Sequence, residues 1–262
     1  MDDDLSLAIE LAYEAGDIMR QGIGDSAVHV KADASPVTDS DLAIDALVRA
    51  RLERARPGVA LLSEESAGDA DLDAPTWVMD PIDGTRTFTS HLGLSSFVLG
   101  LVVEGVTRVA VTYDPWTDRL YSAQLGAGAF VNGAPIHAST HVGLSRARIE
   151  VDVWGETPDL FSHLAPRSSV RCLRSSARAG AAVADGGVEG LCVAGVSAWD
   201  ICASLLLVTE AGGRAEAIDG GEVDLREPIP ATLLAAPGIF GPLAATWRAC
   251  RDEARARGSR VA

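Results

Sequence analysis

Basic residues and long apolar runs are both scarce in this chain. It has 22 Lys and Arg against 37 Asp and Glu, so its formal net charge is −15 at pH 7. Such a charge repels a phosphodiester backbone, and we expect no nucleic-acid partner. No run approaches the roughly 20 apolar residues of a membrane-spanning helix, and the start Met1-Asp-Asp-Asp lacks the basic and apolar regions of a secretory signal. We therefore predict a cytoplasmic protein with no membrane partner.

Cysteine is also rare, and its spacing argues against two common kinds of site. The four cysteines stand far apart, with no C-x-x-C pair: Cys172, Cys192, Cys202 and Cys250. This spacing favours neither a disulfide framework nor a structural zinc site. Cys192 and Cys202 lie in apolar stretches, where cysteine behaves as a small hydrophobe. We predict four buried free thiols.

The first half of the chain is predicted to combine helices with an antiparallel meander. Hydrophobic residues make up 47% of the sequence, enough for a packed core. Apolar residues recur at helical spacing over 3–22 and 38–55. Strand-like segments separated by Gly-rich turns follow at 59–62, 77–79, 95–103, 106–113 and 119–123. The pair Asn132-Gly133 then predicts a tight hairpin. We interpret residues 1–145 as an N-terminal α+β subdomain that carries most of the metal ligands.

The second half alternates short β-like runs with helical ones. The strand-like runs lie at 148–153, 170–173, 190–193 and 231–236, and the helical ones at 177–185, 198–211 and 239–257. This alternation is typical of an α/β arrangement. We interpret residues 146–262 as a C-terminal α/β subdomain that completes a cleft with the first.

The most informative stretch is Trp77-Val-Met-Asp-Pro-Ile-Asp-Gly-Thr85. It sets Asp80 and Asp83 on either side of a turn that Pro81 partly rigidifies, so both carboxylates can face one point at the end of a strand. Mg²⁺ binds one or two such carboxylates together with water and substrate phosphate. Gly84 and Thr85 would begin a short helix whose free N–H groups attract phosphate. The alternative is an ordinary surface turn, since Asp, Pro and Gly are the commonest turn residues.

Four ordered motifs together resemble one known family over nearly the whole chain. They are Lys31-Ala-Asp-Ala-Ser-Pro-Val-Thr-Asp-Ser-Asp41, Leu62-Ser-Glu-Glu-Ser66, Asp80-Pro-Ile-Asp-Gly-Thr85, and Trp199-Asp-Ile-Cys-Ala203 continuing to Glu210-Ala-Gly-Gly213, with Arg174-Ser between the last two. In these motifs the chain is similar to the inositol monophosphatase-like, lithium-sensitive Mg²⁺ phosphatases. The resemblance implies a layered αβαβα sandwich, the sugar-phosphatase fold, and a homodimer.

The resemblance also implies the ligands of two or three Mg²⁺ ions. These are the carboxylates of Glu64, Asp80, Asp83 and Asp200 and the carbonyl of Ile82. Gly84 and Thr85 would seat the phosphate, and Lys31 is a further candidate for binding it.

The implied reaction is in-line attack of an activated water on phosphorus, without a covalent phosphoenzyme. By analogy with the family, Glu64 and a hydrogen-bonded pair, Thr85 and Asp41, are catalytic, the pair orienting or deprotonating the water. The alternative for Asp41 is a capping-box acid, three residues after Thr38 at the start of the second helix.

Two positions depart from the family pattern. Inositol-cleaving members have an acidic residue seven positions before the Trp-Asp aspartate, and Val193 stands there in this chain. An aliphatic side chain cannot accept hydrogen bonds from substrate hydroxyls, and each hydroxyl left unpaired costs about 1–3 kcal/mol of binding free energy, unless Glu189 accepts these bonds instead. Arg178 stands where members commonly have a small residue beside the organic moiety. We therefore consider it either a ligand for an acceptor group on the substrate or a solvent-facing helix arginine.

Trp154 either closes the pocket or belongs to the core.

We accordingly predict a Mg²⁺-dependent phosphomonoesterase acting on a polyol, sugar or amino-alcohol phosphate, such as inositol phosphate or histidinol phosphate. The first alternative is a 3′(2′),5′-bisphosphate nucleotidase, whose relatives share the S-P-V-T and L-S-E-E forms. An alternative of another class is a non-catalytic binding or regulatory protein that retains the fold.

Overall fold

Helices and sheets alternate in five layers in this protein, whose computed structural model describes residues 2–32, 34–66, 70–153 and 160–258. The helices are α1 (Asp2–Gly22), α2 (Asp39–Ala55), α3 (Thr85–Thr89), α4 (Leu160–Leu164), α5 (Ser176–Ala184), α6 (Ala198–Glu210) and α7 (Pro237–Gly258). The strands are β1 (Val28–Val30), β2 (Pro36–Thr38), β3 (Ala60–Ser63), β4 (Thr76–Asp83), β5 (Ser96–Val103), β6 (Val106–Asp114), β7 (Arg119–Gln124), β8 (Gly128–Val131), β9 (Ala134–Pro135), β10 (Arg148–Val153), β11 (Ser169–Arg171), β12 (Gly190–Ala194), β13 (Arg214–Ala217) and β14 (Thr232–Ala235). One turn of 3₁₀ helix covers Glu64–Ser66.

The larger sheet has seven strands in chain order, β3 to β9, and all pairs after the parallel β3–β4 pair are antiparallel. The predicted meander is therefore confirmed. Its last hairpin turns at Asn132 and Gly133, which both have positive φ, as a two-residue turn of this type requires. Because β4 is buried on both faces, Trp77 and Met79 pack toward α1 and α2, whereas Val78 packs toward α6.

The smaller sheet has the order β11-β10-β12-β14-β13. Strands β10, β11 and β12 are parallel, while β14 runs antiparallel to its two neighbours. The parallel strands confirm the predicted α/β character of this half. Strand β13 was not predicted, because its sequence Arg-Ala-Glu-Ala lacks the β-branched and aromatic residues that indicate strands.

The layers run from α1 and α2 through the larger sheet, α5 and α6, and the smaller sheet to α4 and α7. Each gap between layers holds its own apolar core, and the central one is built largely on α5 and α6. The predicted αβαβα sandwich is thus confirmed. The division at residue 145 remains a prediction, since α5 and α6 pack against both sheets.

Two further expectations can be compared with the structure. Of the four free cysteines only Cys172 is exposed, so the prediction of burial is wrong for that residue. No helix within the described ranges is both long enough and apolar enough to cross a membrane. Trp154 lies outside the described residues.

Candidate active site

A bulge at the end of β4 brings two aspartates onto one side of the strand. Asp80 pairs with Val98 and Asp83 with Ser96. Two residues therefore separate the aspartates on β4, whereas one residue separates their partners on β5. In a regular strand, residues 80 and 83 would point to opposite faces, and the extra residue cancels that alternation. Pro81, which has no N–H to donate, occupies the irregular segment without losing a ladder hydrogen bond.

A third aspartate reaches the same point from the start of α6. Asp200 is the third residue of that helix, and its Oδ2 accepts a hydrogen bond of 2.6 Å from the backbone N–H of Ser197 in a capping box. One carboxylate oxygen from each of Asp80, Asp83 and Asp200 lies within 4.8 Å of the other two. Three of the five predicted metal ligands therefore converge.

Neighbouring groups fix the orientation of two of these carboxylates. Oδ1 of Asp80 accepts a hydrogen bond of 3.0 Å from the backbone N–H of Ile82. Oδ2 of Asp83 accepts from the hydroxyl of Ser175 and, over 3.0 Å, from the backbone N–H of Ala177. Residues of the second half of the chain thus hold Asp83, a predicted metal ligand from the first half, in place.

Burial and mutual repulsion make this cluster a good cation site. Burial, with added repulsion from the surrounding carboxylates, raises the pKa of Asp80 well above its usual value. The same two causes raise the pKa of Asp83 and of Asp200 to about 7, although hydrogen bonds oppose the rise. A cation removes this repulsion, and an all-oxygen donor set suits a hard ion such as Mg²⁺. The residues present therefore fit a divalent cation.

Glu64 lines the same cavity from the 3₁₀ turn after β3. Nζ of Lys31 donates hydrogen bonds of 2.8 Å to both Glu64 and Glu65. Burial lowers the pKa of Lys31, but these two bonds outweigh it and raise the pKa to about 12. Lys31 thus lies beside the predicted metal ligand Glu64 as a fixed positive charge.

The turn after β4 also has the predicted form. Gly84 has φ of +87°, and a Cβ there would lie 3.0 Å from the carbonyl oxygen of Arg174, so glycine suits this position both conformationally and sterically. Thr85 begins the short helix α3 as predicted. Its hydroxyl donates to the carbonyl of Ile82 over 3.1 Å, and both Gly84 and Thr85 line the cavity.

The predicted hydrogen bond between Thr85 and Asp41 is not formed. Oδ2 of Asp41 accepts instead from the backbone N–H and the hydroxyl of Thr38, at 2.7 and 2.5 Å, in the capping box of α2. Its Oδ1 is buried and has no hydrogen-bond partner among the described residues. Burial raises the pKa of Asp41 to about 7, although the bonds from Thr38 lower it. Asp41 is thus the acid that completes the capping box of α2, as the alternative from the sequence has it.

A cavity of about 430 Å³ is lined by these predicted site residues: Glu64, Asp80, Asp83, Gly84, Thr85 and Asp200. Lys31 and Asp41 are not among the described residues that line it. The lining also includes residues that the sequence analysis did not single out as site residues: Ser35, Pro36, Arg86, Asp152, Arg174, Ser176, Gly195 and Val196. One signal was available for Asp152, because Arg148, Glu150 and Asp152 alternate with apolar residues along β10 and so lie on one face of the strand, and acids in a strand flanked by apolar residues indicate either buried pairs or a site. The others come from loops and helix starts whose positions depend on the tertiary fold.

Two candidates for substrate recognition lie elsewhere. The guanidinium of Arg178 forms an ion pair of 2.8 Å with Asp114 and donates a hydrogen bond of 3.0 Å to the carbonyl of Gly93. Glu189 accepts hydrogen bonds from Arg148 and from the hydroxyl of Ser139. Neither residue is among those that line the cavity in the described part of the chain. Val193 is fully buried.

The chain is similar to known proteins over most of its length. Residues 1–249 match the model of the inositol monophosphatase family. The chain is 32% identical over 230 residues to an inositol-1-monophosphatase of Mesorhizobium japonicum, covering 83% of this chain and 86% of that protein. It is 34% identical over 239 residues to a histidinol-phosphatase of Mycobacterium tuberculosis, covering 83% and 88%. An IMPase structure from Thermotoga maritima superposes with a TM-score of 0.90 at 25% identity, covering 96% of this chain and 99% of that one.

Proposed function

The chain belongs to the inositol monophosphatase family, and from that premise we propose that it is a Mg²⁺-dependent hydrolase of small phosphate monoesters. The observation that carries the proposal is the convergence of Asp80, Asp83 and Asp200, whose carboxylate oxygens lie within 4.8 Å of one another at a cavity. Buried like charges this close are costly unless a cation or a proton joins them.

The proposed ligands are these three aspartates, Glu64 and the carbonyl of Ile82, and two or three ions are expected from the family. Bound Mg²⁺ supplies two things to this chemistry, a lowered pKa for water and neutralisation of phosphoryl charge. The chain's own residues provide the rest. Ser175 and the backbone N–H of Ala177 orient Asp83, and the bulge at Pro81 orients Asp80.

Gly84 and Thr85 are proposed to hold the phosphate, because they line the cavity directly after the acidic cluster. Asp41 is proposed to accept the proton of the attacking water. Asp41 is not among the described residues that line the cavity, so the support for this role is the family resemblance, together with a pKa that burial raises to about 7, which suits a general base at neutral pH. Thr85 is proposed to orient that water through its hydroxyl. Lys31 is proposed to hold Glu64 in place rather than to bind the phosphate directly.

The organic part of the substrate is proposed to be a polyol, sugar or amino alcohol. Relatives named for inositol phosphate and for histidinol phosphate match this chain to similar extents. The cavity of about 430 Å³ is large enough for either of these. A homodimer, which the family resemblance implies, is proposed as well and can be checked by sedimentation.

The test is phosphate release with and without Mg²⁺ from inositol 1-phosphate, histidinol phosphate and adenosine 3′,5′-bisphosphate. We expect Mg²⁺-dependent turnover of at least one of the first two, abolished in Asp83→Asn. The matched control is Asp224→Asn, which changes a half-buried aspartate whose carboxylate pairs with Arg226. Faster turnover of the bisphosphate would favour a nucleotidase. Absence of turnover on all three esters would favour a non-catalytic protein.

A further inference from the structure

We infer that Asp152 recognises the organic part of the substrate by accepting a hydrogen bond from a hydroxyl or ammonium group. Asp152 lies on β10 and lines the cavity that holds the acidic cluster. The inference rests on the proposed function and adds to it a chemical requirement on the substrate, a hydrogen-bond donor.

The two carboxylate oxygens of Asp152 differ in their surroundings. Oδ2 accepts a hydrogen bond of 3.1 Å from the hydroxyl of Ser176, at the start of α5. This bond fixes the plane of the carboxylate. Oδ1 is buried and accepts no hydrogen bond from the described residues; its contact is a long ion pair of 3.9 Å with Nη1 of Arg174, beyond hydrogen-bonding distance.

Burial makes that unpaired oxygen significant. Asp152 is only 8% exposed, and a buried acceptor without a partner costs about 1–3 kcal/mol. Most such groups in folded proteins are paired, so an exception calls for an explanation, and at a cavity a bound ligand is one that can be tested. A donor on the substrate would supply the missing hydrogen bond.

The polar neighbours of Asp152 that also line the cavity, Arg174 and Ser176, point donor groups at its carboxylate, from 3.9 and 3.1 Å, so the carboxylate is the acceptor of this group of residues. The partner of Asp152 in the parallel register with β12 is Val193, an aliphatic side chain that is fully buried. The nearby residues Gly195 and Val196 also line the cavity and carry no polar side chain. Glu189, at the other end of β12, is held by Arg148.

Asp152 is also separate from the candidate metal cluster. The acids whose oxygens converge within the described residues are Asp80, Asp83 and Asp200, and Asp152 is not among them. Its negative charge adds to the repulsion that raises the pKa of Asp83 and Asp200. Asp152 therefore faces the same cavity while remaining available for the organic moiety.

The experiment compares substrates that have donors with one that lacks them. Wild type, Asp152→Ala and Asp152→Asn are assayed with Mg²⁺ on inositol 1-phosphate and 2-glycerophosphate, which offer hydroxyls, on histidinol phosphate, which offers an ammonium, and on 4-nitrophenyl phosphate, which offers neither. For Asp152→Ala we expect kcat/KM to fall at least tenfold on the preferred donor-bearing ester, mainly through KM. On 4-nitrophenyl phosphate we expect a change of less than twofold.

The Asn variant distinguishes the two kinds of donor. An amide oxygen still accepts from a hydroxyl but has no charge to attract an ammonium, so Asp152→Asn should retain more activity than Asp152→Ala if the donor is a hydroxyl. If the donor is an ammonium, both variants should lose similar amounts. Asp185→Asn is the control, since Asp185 pairs with Arg119 and Tyr121 away from the cavity.

Two outcomes would overturn the inference. Equal losses on all four esters would mean that Asp152 acts through the metal ligands, and no loss on any would mean that it does not contact substrate. Calorimetric binding of inositol 1-phosphate and histidinol phosphate, compared between wild type and Asp152→Ala, keeps the inference testable without turnover. Selective weakening would support it even if the proposed hydrolysis fails, and unchanged affinity for both would reject it.

Discussion

The backbone N–H of Ala177 donates a hydrogen bond of 3.0 Å to Oδ2 of Asp83, 94 positions earlier in the chain. Ser175 adds its hydroxyl to the same oxygen. The start of α5 therefore holds the carboxylate of Asp83, the last residue of β4. The arrangement of the site depends on the packing of the two sheets around α5 and α6.

Removal of the Ser175 hydroxyl should weaken cation binding. Partners that orient a ligating carboxylate typically contribute 10–100-fold to metal affinity, and we expect Ser175→Ala to lower Mg²⁺ affinity about tenfold, as measured by calorimetry and by the Mg²⁺ dependence of turnover. The matched control is Ser204→Ala, because the Ser204 hydroxyl is equally buried but has no hydrogen-bond partner in the described part of the chain. Equal effects of the two changes would contradict this role for Ser175.

The sequence predicts the site best where its residues are neighbours in the chain. Asp80 and Asp83 could be identified together because a turn of four residues must bring them close. Asp152 could not, because only the packing of β10 beside β12 places it at the cavity. Arg178 lies in the predicted helix, but helical periodicity did not reveal that its guanidinium would contact Asp114. Local order could be predicted, whereas contacts between layers could not.

Replacement of Asp80 by asparagine should stabilise the metal-free protein. Burial and the charges of Glu64, Asp83 and Asp200 raise the pKa of Asp80 well above its usual value, so its ionised form is unfavourable in the folded chain. Asparagine keeps the oxygen that accepts from the N–H of Ile82. In EDTA we expect the Tm of Asp80→Asn to exceed that of wild type by several degrees, and Mg²⁺ to raise the Tm of wild type alone. A Tm of Asp80→Asn below that of wild type in EDTA would show that the ionised Asp80 does not destabilise the metal-free protein.

A variant of Arg178 distinguishes a substrate ligand, which the sequence left open, from one half of a structural ion pair with Asp114. This ion pair is largely buried, with 19% and 4% of the two side chains exposed. We expect Arg178→Met to lower the free energy of unfolding by about 2–3 kcal/mol, since it leaves a buried carboxylate without its cation. KM should remain within twofold of wild type.

A double-mutant cycle with Asp114→Asn tests that assignment. The two changes should be strongly non-additive in urea unfolding, because they remove one interaction between them. A large rise in KM with unchanged stability would restore Arg178 as a substrate ligand.

Glu189 should contribute stability that disappears in acid. Burial raises its pKa, but hydrogen bonds from the side chain and backbone of Arg148 outweigh that effect and hold the pKa below its usual value. The folded chain therefore binds this proton less readily than the unfolded chain, whose glutamates titrate near pH 4.3. The contribution is fully present above that pH and is lost as the pH falls through the folded value. Glu189→Gln should thus lower the free energy of unfolding by about 1–2 kcal/mol at pH 7.

Urea unfolding at pH 7, 5 and 4 measures this dependence. The difference between wild type and Glu189→Gln should narrow at the lowest pH, where the wild-type carboxylate begins to gain its proton. Glu53→Gln, at an exposed position of α2, should change stability little at any of the three values. A difference for Glu189→Gln that stays constant with pH would mean that packing, and not the charge held by Arg148, accounts for the contribution of Glu189.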